Sequence, residues 1–457
     1  MSFSALRALY RRDDSIRDVF RAILDSLDGE KTQSVWIHRA SSAEIYGQVE
    51  RQLQRKRRGE FVPLYGLPFA VKDNIDVLGM PTTAACPAFS YDPDKSAPIV
   101  EKLVQLGAIC LGKTNMDQHG TGLTGTRSPY GICPSVYDAR YIGGGSSSGS
   151  AVAVAKGQVS FALGTDSGGS GRIPAGYNNI VGLKPTIGAL SLNGVVPNSR
   201  CFDCPTVFAL NVADVAEIFE VVEGYDESDP FSKQRVEPAP RGGALSGAFR
   251  FAVPASDQRE WYGAIEPADK FNEGVARFVD IGGEVRDIDF ALFREAGRMM
   301  LNGPWVAERK AGIRAFFEKQ PDALLDVVRK IFDRADQWSA VDVFEWTYRL
   351  MELRRRALVV FKDVDFLLVP TAPRPFTIEE VNAAPIERNI EVGYYSYFVN
   401  LLDLCAISVP NGFLDNGMPS GLTLVAPAWH DRNLVALAQR LPPVQEAPHR
   451  AARQGAR

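Results

Sequence analysis

Histidine is scarce in this sequence, and its scarcity argues against two kinds of catalytic site. The 457 residues include four histidines, at positions 38, 119, 430 and 449, and none lies near another in a metal-ligand spacing. A metal site is therefore not expected. A Ser-His-Asp triad is also disfavoured, because that chemistry needs a histidine beside the nucleophile. A serine nucleophile in this chain would need a different base.

The sequence also lacks paired cysteines, a basic surplus and a long apolar run near its start. Only Cys201 and Cys204, among six cysteines, have a ligand or redox spacing, and a single C-x-x-C is here interpreted as structural. A net charge of −4 leaves no surplus of basic residues for a phosphate backbone, so no nucleic acid partner is expected. Residues 1–20 interrupt their apolar positions with charge, unlike a signal peptide or a membrane span. We expect a cytoplasmic protein that does not bind membranes.

What the sequence does contain is ample apolar material and an alternating pattern. The chain is 45% hydrophobic and 23% charged, as expected for a large globular core. Residues 1–60 predict helices that pack on the core. Strand-like and helix-like segments then alternate, which favours an α/β fold over a single domain at 61–443, with a central mixed β-sheet. Amphipathic segments at about 245–362 predict a helical cover, and residues 444–457 predict a disordered tail.

Two segments rich in glycine and serine carry the chemical signal, YIGGGSSSGSAVAVA at 141–155 and LGTDSGGSGRIPA at 163–175. Each lies between apolar runs, unlike a linker, and neither has the phosphate-loop pattern. Amide cleavage needs an activated hydroxyl, a proton carrier and backbone N–H donors. The turn from Ser167 to Ser170 can direct several N–H groups to one point. Lys72 follows an apolar strand, where desolvation lowers its pKa and favours the neutral amine, a competent base.

These residues resemble the amidase signature family, through motifs spread from about residue 60 to 430. The resemblance implies the amidase signature fold, with helices on both faces of the sheet. It also implies a Ser–cisSer–Lys triad without metal or organic cofactor. Ser170 is the implied nucleophile, Ser146 the proton relay after a cis peptide bond, and Lys72 the base. The N–H groups of Ser167, Gly168, Gly169 and Ser170 are the implied oxyanion hole.

Two acidic residues near these motifs are interpreted as supports rather than as catalysts. Asp166 and Arg172 flank the nucleophile turn, and we predict that they form an ion pair that holds it. Asp117, in the segment KTNMDQHG, is likewise predicted to support the site rather than to act as an acid.

Within the family, the chain is most similar to the amidase domain of allophanate hydrolases, through GLTGTRSPYG at 122–131 and GPWVAER at 303–309. The resemblance implies a small-molecule amide substrate whose carboxylate is bound by Arg309. Gly122, Gly125 and residue 301 are the other predicted substrate contacts. Three departures are evident: Leu301 replaces a carboxylate-binding tyrosine, Ser167-Gly168 replaces the usual Thr-Ala, and the second domain of many relatives is not expected.

The substrate and the functional class leave alternatives open. The predicted reaction is hydrolysis of the terminal carboxamide of allophanate or a close ureido analogue, with release of ammonia through an acyl-enzyme. Guanylurea is the alternative; because it is cationic, Arg309 would then have to turn away or be offset by Glu308. A general amidase, a glutaminase-like subunit of a tRNA amidotransferase and an inactive binding protein are the other hypotheses. The family resemblance also suggests a homodimer.

Overall fold

The computed structural model describes residues 1–11, 15–29, 34–236 and 247–444. The predicted tail at 444–457 lies outside the described residues except for its first position. Within these ranges the strands are β1 Trp36–Arg39, β2 Pro68–Lys72, β3 Ile109–Thr114, β4 Phe161–Asp166, β5 Val181–Lys184, β6 Cys204–Ala209, β7 Phe249–Pro254, β8 Gly283–Ile288, β9 Phe366–Pro370, β10 Leu404–Phe413 and β11 Pro419–Pro427.

The helices in the first half of the chain are α1 Phe3–Leu9, α2 Ser15–Gly29, α3 Ser42–Arg57, α4 Pro98–Gln105, α5 Ser148–Ala155, α6 Arg172–Tyr177 and α7 Val212–Val222. Those in the second half are α8 Glu266–Asp280, α9 Ala291–Asn302, α10 Trp305–Gly312, α11 Arg314–Lys319, α12 Asp326–Asp333, α13 Ala340–Val360, α14 Ile378–Ala383, α15 Glu387–Val392, α16 Tyr397–Leu401 and α17 Asp431–Gln439. None of these helices combines the length and the apolar composition needed to cross a membrane.

One mixed sheet organises the described chain. Its eleven strands lie in the order β1-β3-β2-β4-β6-β5-β10-β11-β9-β7-β8. Strand β2 is parallel to both β3 and β4, whereas β4, β6, β5, β10, β11 and β9 pair antiparallel in succession. The α/β fold with a mixed central sheet, predicted from the alternating pattern, is confirmed.

Both faces of the sheet are covered, as the alternation of side chains along β9 illustrates. Phe366 and Leu368 join one apolar cluster, which includes residues of α1, α2, α3, α5 and α8. Leu367 and Val369 join a second cluster, which includes residues of α9, α13 and α16. Successive side chains of a strand point to opposite faces, so the uninterrupted apolar run FLLVP of β9 is that of a strand buried on both sides.

The helical cover predicted at about 245–362 contains two strands as well as helices. β7 and β8 pair in parallel and extend the sheet beyond β9. β8 is the last strand of the sheet and is largely exposed, so its charged sequence GEVRDI has no apolar pattern that would indicate a strand. The region predicted as N-terminal helices likewise contains a short strand, β1, which pairs antiparallel with β3.

The topology brings two chemically important segments to one edge of the sheet. Lys72 ends β2 and Asp166 ends β4. Since these strands are parallel neighbours, their carboxyl ends lie side by side. This is the edge at which open α/β sheets commonly bind ligands.

Candidate active site

Lys72 is completely buried, and hydroxyl groups surround its amine. Nζ donates to Ser146 Oγ at 2.8 Å and to Thr165 Oγ1 at 2.7 Å. No carboxylate forms an ion pair with it in the described part of the chain. Burial lowers the pKa of Lys72 to about 7, against the opposing attraction of Asp117, Asp166 and Asp203. About half of the lysine is therefore neutral at physiological pH, as a general base requires.

Ser146 lies in a tightly packed glycine loop that precedes α5. The Gly145–Ser146 peptide bond is cis, and the Ser146 carbonyl accepts a hydrogen bond from Asp117 N–H at 3.1 Å. A Cβ atom at Gly145 would lie 2.1 Å from Asp117 Oδ2, so only glycine fits at this position. The close packing fixes the Ser146 hydroxyl against the amine of Lys72.

Ser170 lies in the turn that joins β4 to α6. Its hydroxyl donates to the carbonyl oxygen of Gly122 at 3.4 Å, and it makes no hydrogen bond to Ser146 in this structure. The two serine segments are joined through the backbone instead, because Ser147 N–H donates to the Ser170 carbonyl at 3.3 Å. Of the three predicted triad residues, Lys72 and Ser146 are thus in direct contact, whereas the hydroxyl of Ser170 is bonded to Gly122 instead. Rotation about the Cα–Cβ bond of Ser170 would redirect its hydroxyl away from Gly122.

A buried ion pair holds the turn that carries Ser170, as the sequence predicts. Arg172 and Asp166 make a bidentate contact at 2.9 and 3.0 Å. Burial raises the pKa of Asp166, but Arg172 outweighs burial and lowers it to about 2. Arg172 also donates to the Asn400 side chain at 2.8 Å and to the Ser396 carbonyl at 3.0 Å. The turn is thus attached to a segment more than two hundred residues away.

One of the four predicted oxyanion donors is already used within the protein. Gly169 N–H donates to Asp166 Oδ1 at 2.7 Å, so this amide does not face an open site. The N–H groups of Ser167, Gly168 and Ser170 have no acceptor in the described part of the chain. Ser396 Oγ donates to the Gly168 carbonyl at 2.8 Å, which fixes the orientation of that peptide. The available set is therefore three amides rather than four.

Thr165 is a contact of Lys72 that the sequence analysis missed. Its Oγ1 atom accepts hydrogen bonds from Lys72 and, at 3.3 Å, from Asn74 Nδ2. A signal for it was available: Thr165 lies in the segment LGTDSGGSGRIPA, five residues before Ser170. Asp203 was also missed. It accepts a hydrogen bond from the hydroxyl of Ser167 and so holds that side chain in place.

Asp117 supports the loops around the site, in agreement with its predicted role. Its carboxylate accepts from Gly125 N–H at 3.0 Å and from Arg127 N–H at 2.8 Å, and burial raises its pKa. Gly125 has a φ of 73° and packs against Gly144, so it lies behind the site and does not border the cavity. Gly122 does border it.

A cavity opens in front of Ser170, and its lining is cationic. Among the residues that the structure describes, no aspartate or glutamate lines it, but three arginines do: Arg127, Arg309 and Arg334. The remaining side chains are neutral. The lining comprises Gly120, Gly122, Leu123, Ser167, Gly168, Ser170, Asn198, Met300, Leu301, Asn302, Val306, Ile331, Ile386, Asn389, Ile390 and Tyr397.

Arg309 lines this cavity and forms no ion pair with a carboxylate in the described part of the chain. Its terminal nitrogen approaches Met300 Sδ at 3.3 Å, and its buried Nε has no hydrogen-bond partner. Burial lowers the pKa of Arg309, although an arginine remains charged. The guanidinium of Arg127 donates to the carbonyl oxygens of Thr121 and Pro385, at 2.9 and 2.6 Å, and the buried carboxylate of Asp117 attracts it. A cavity arginine such as Arg309, which has no hydrogen-bonded acid, favours an anionic ligand.

Leu301 borders the same cavity, where it adds an apolar surface. Tyr397 is also part of the lining, but its hydroxyl is already bonded to Asn389, as donor to the carbonyl and as acceptor from the amide. Glu308 is absent from the lining. Its carboxylate instead accepts from Cys201 N–H at 2.8 Å, and burial raises its pKa. Its carboxylate therefore does not face a ligand in the cavity directly.

The described residues offer no cluster for a metal ion. Within these ranges, no group of three or more histidine, cysteine, aspartate or glutamate side chains could hold a metal ion. Cys201 is exposed whereas Cys204 is buried, and neither forms a disulfide.

Comparison with known proteins finds relatives over nearly the whole chain. The amidase family matches residues 19–435. Urea amidolyase of Saccharomyces cerevisiae is 40% identical over 425 residues, which are 92% of this chain and 23% of that protein. One of the subunits of the glutamyl-tRNA(Gln) amidotransferase from Symbiobacterium thermophilum is 34% identical, over 84% of each chain. The structure of Kluyveromyces lactis allophanate hydrolase superposes with a TM-score of 0.90 and 37% identity, over 96% of this chain and 72% of that one.

Proposed function

This chain belongs to the amidase family and is a hydrolase that acts on amide carbon–nitrogen bonds, and on that premise we propose that its substrate is allophanate or a similar small ureido carboxylate. The observation that carries the proposal is the lining of the cavity beside Ser170, which contains three arginines and, within the described ranges, no acidic side chain. Such a lining favours an anion. The likeness to a urea amidolyase and an allophanate hydrolase supports the same substrate class, although the chain spans about a quarter of the length of the urea amidolyase that it matches.

In the proposed mechanism, Ser170 Oγ attacks the carbonyl carbon of the terminal carboxamide. Its proton passes to the Ser146 hydroxyl while Ser146 gives its own proton to the neutral amine of Lys72, which lies 2.8 Å away. The oxyanion that forms is stabilised by the free amides of the turn; removing one such donor typically costs about 3 kcal/mol of transition-state stabilisation. The carbon–nitrogen bond then breaks, and the proton returns through Ser146 to the leaving ammonia.

The same three residues then hydrolyse the acyl-enzyme, with water in the place of ammonia. Ammonia leaves, and water takes its position beside Ser146. Lys72 accepts the proton of the water through Ser146, and the water oxygen attacks the ester carbon. When the tetrahedral intermediate collapses, the bond to Ser170 Oγ breaks and the serine recovers its proton. The triad residues and their roles are part of the proposal.

The substrate is held by the arginines in this proposal. Arg309 can direct a planar pair of N–H donors at a carboxylate, a geometry that favours bidentate binding. Guanylurea fits this lining poorly, because it is a cation and Glu308 is bonded elsewhere. Glutamine fits poorly for the same reason, because its ammonium group finds no carboxylate in the lining. The arginines of the lining therefore favour a small anionic amide over guanylurea and over glutamine.

Ammonia release from a panel of amides tests this proposal. The panel contains allophanate, malonamate, biuret, guanylurea and a simple aliphatic amide. We expect kcat/KM for the two anionic amides to exceed that for guanylurea at least about 100-fold, the effect of a desolvated charge-assisted contact of a few kcal/mol. Arg309→Met should remove this preference. Arg298→Met, at an exposed position of α9, is the matched control and should preserve it.

Two results would contradict the proposal. A wild-type enzyme that turns over guanylurea as well as allophanate would show that the arginines do not select the substrate. A preference for anions that survives Arg309→Met unchanged would show that this arginine does not bind the carboxylate.

A further inference from the structure

Arg334 is the outermost of the three arginines that line the cavity beside Ser170. It follows the last residue of α12 and begins a short 3-10 helix at Arg334–Gln337. Arg334 is exposed, whereas Arg309 is half-buried and Arg127 is buried. The cationic lining therefore extends from the interior of the cavity to the solvent at its mouth.

No neighbouring acid balances the charge of Arg334. Asp336, two residues further on, pairs with Lys310 of α10 at 2.6 Å. Asp333, the preceding residue, pairs with Arg329 of its own helix at 3.9 Å. Arg334 itself forms no ion pair within the described part of the chain. Its charge therefore acts on whatever approaches the mouth of the cavity.

Aliphatic side chains border the same mouth. Ile331 lies in the last turn of α12, just before Arg334, and lines the cavity with it. Ile386 and Ile390, at the start of α15 and within it, also line the cavity, although they are 36% and 37% exposed. Apolar walls have a low dielectric constant, and such walls focus the field of a charge into a cleft. The isoleucines therefore strengthen the attraction of Arg334 for an anion at the mouth.

We propose that Arg334 is a specificity-determining residue, which attracts an anionic amide to the mouth of the cavity before the amide binds at Arg309. The proposal rests on the proposed function, since an uncharged substrate would feel no such attraction. Arg309 binds the carboxylate by short hydrogen bonds, whereas Arg334 acts by Coulomb attraction over a longer distance. This attraction raises the local concentration of the anion and leaves the chemical step at Ser170 unchanged.

Two properties distinguish such an attraction from a direct contact. Salt screens it, because the Debye length falls from about 30 Å at 0.01 M ionic strength to about 3 Å at 1 M. It also depends on the charge rather than on the shape of the cationic group, so a lysine can replace Arg334. A bidentate contact, in contrast, requires the planar guanidinium.

Steady-state kinetics of the full chain with allophanate and with the uncharged amides of the panel, at about 0.02 M and about 0.5 M NaCl, test the proposal. Arg334→Gln should lower kcat/KM for allophanate about 3- to 10-fold at low salt and less than about twofold at high salt, with kcat unchanged. Arg334→Glu should lower it further, and Arg334→Lys should retain the wild-type value. None of the three variants should change kcat/KM for an uncharged amide.

Lys330→Gln is the matched control. Lys330 is exposed on α12, four residues before Arg334, and does not border the cavity. The substitution removes the same charge from the same helix, so kcat/KM for allophanate should stay within about twofold of the wild-type value at low salt. Thermal unfolding verifies that each variant is folded. A loss in Lys330→Gln as large as that in Arg334→Gln would overturn the proposal, because it would make net charge rather than position decisive.

The outcomes separate this proposal from the proposed function. A wild type that prefers anionic amides, with no change in Arg334→Gln, would overturn the role of Arg334 and leave the proposed function intact. An equal loss on charged and uncharged amides would also overturn it, because it would indicate a structural role at the end of α12. A loss that persists at high salt would replace the attraction with a direct contact. A wild type without a preference for anions would contradict the proposed function, and the role of Arg334 with it.

Discussion

The buried amine of Lys72 should make the folding stability of this protein depend on pH in a way that one substitution can isolate. Burial lowers the pKa of Lys72 from its ordinary value of 10.5 to about 7. In the unfolded chain the lysine regains the ordinary value. Between these two pKa values the unfolded state binds more protons than the folded state, so stability rises as pH rises through this window.

The size of this effect follows from the shift. One pKa unit corresponds to about 1.4 kcal/mol. A lysine shifted from 10.5 to about 7 therefore lowers the free energy of unfolding at pH 7 by about 4 kcal/mol, relative to its contribution above the ordinary pKa. Below pH 7 both states are protonated and the contribution becomes constant. This penalty is a large fraction of the stability of a typical domain.

Lys72→Met removes the titrating group and keeps a side chain of similar length. Ser146 and Thr165 lose a hydrogen-bond partner, which shifts stability by an amount that does not depend on pH. The contribution from the titration of Lys72 does depend on pH. The free energy of unfolding of the variant, relative to that of the wild type, should therefore fall by about 2–3 kcal/mol between about pH 7.5 and 9.5. Lys319→Met, at an exposed position of α11, is the control, and its stability should run parallel to wild type.

Urea unfolding of the three proteins across this pH range measures the difference. Because the comparison is between proteins at the same pH, the titration of other groups cancels. A difference between Lys72→Met and wild type that stays constant from about pH 7.5 to 9.5 would refute the lowered pKa. It would also remove the physical reason for a neutral lysine base.

Three further predictions concern turnover. The value of kcat/KM should rise with pH through about 7 and then level off, because the base must be neutral; a flat profile across this range would count against Lys72. Thr165→Val keeps the volume of the side chain and removes the hydroxyl 2.7 Å from Lys72, so kcat should fall about 10- to 100-fold with little change in KM; an unchanged kcat would exclude a positioning role for Thr165. Leu301→Tyr should preserve or improve turnover of an anionic amide by adding a donor to the cavity, and a loss of turnover would argue that the pocket is shaped for leucine.

The sequence predicted the fold and the residues at the strand ends because these features depend on local pattern. The apolar run of β2 ends at Lys72, so burial of the lysine followed from its position. The glycines around Ser170 indicated a tight turn with free amides. The charge pair of Asp166 and Arg172 could be inferred because both residues flank that turn.

What the sequence could not supply depends on contacts between distant segments. The amide of Gly169 is taken by Asp166, in an orientation fixed by Arg172 and through it by Asn400. Gly125 was predicted to contact substrate because it shares a motif with Gly122, yet its neighbour in space is Gly144. The edge strand β8 was missed because an exposed strand has no apolar periodicity. In each case the tertiary arrangement, rather than local preference, decides.

We propose that the cavity beside Ser170 is an active site whose nucleophile is Ser170 and whose base is Lys72. Reaction with a serine-directed fluorophosphonate, followed by peptide mass spectrometry, tests it most directly. We expect a single adduct on the peptide that contains Ser170, no adduct in Ser170→Ala, and much slower labelling in Lys72→Met. An adduct on another residue, or labelling that persists in Ser170→Ala, would contradict it.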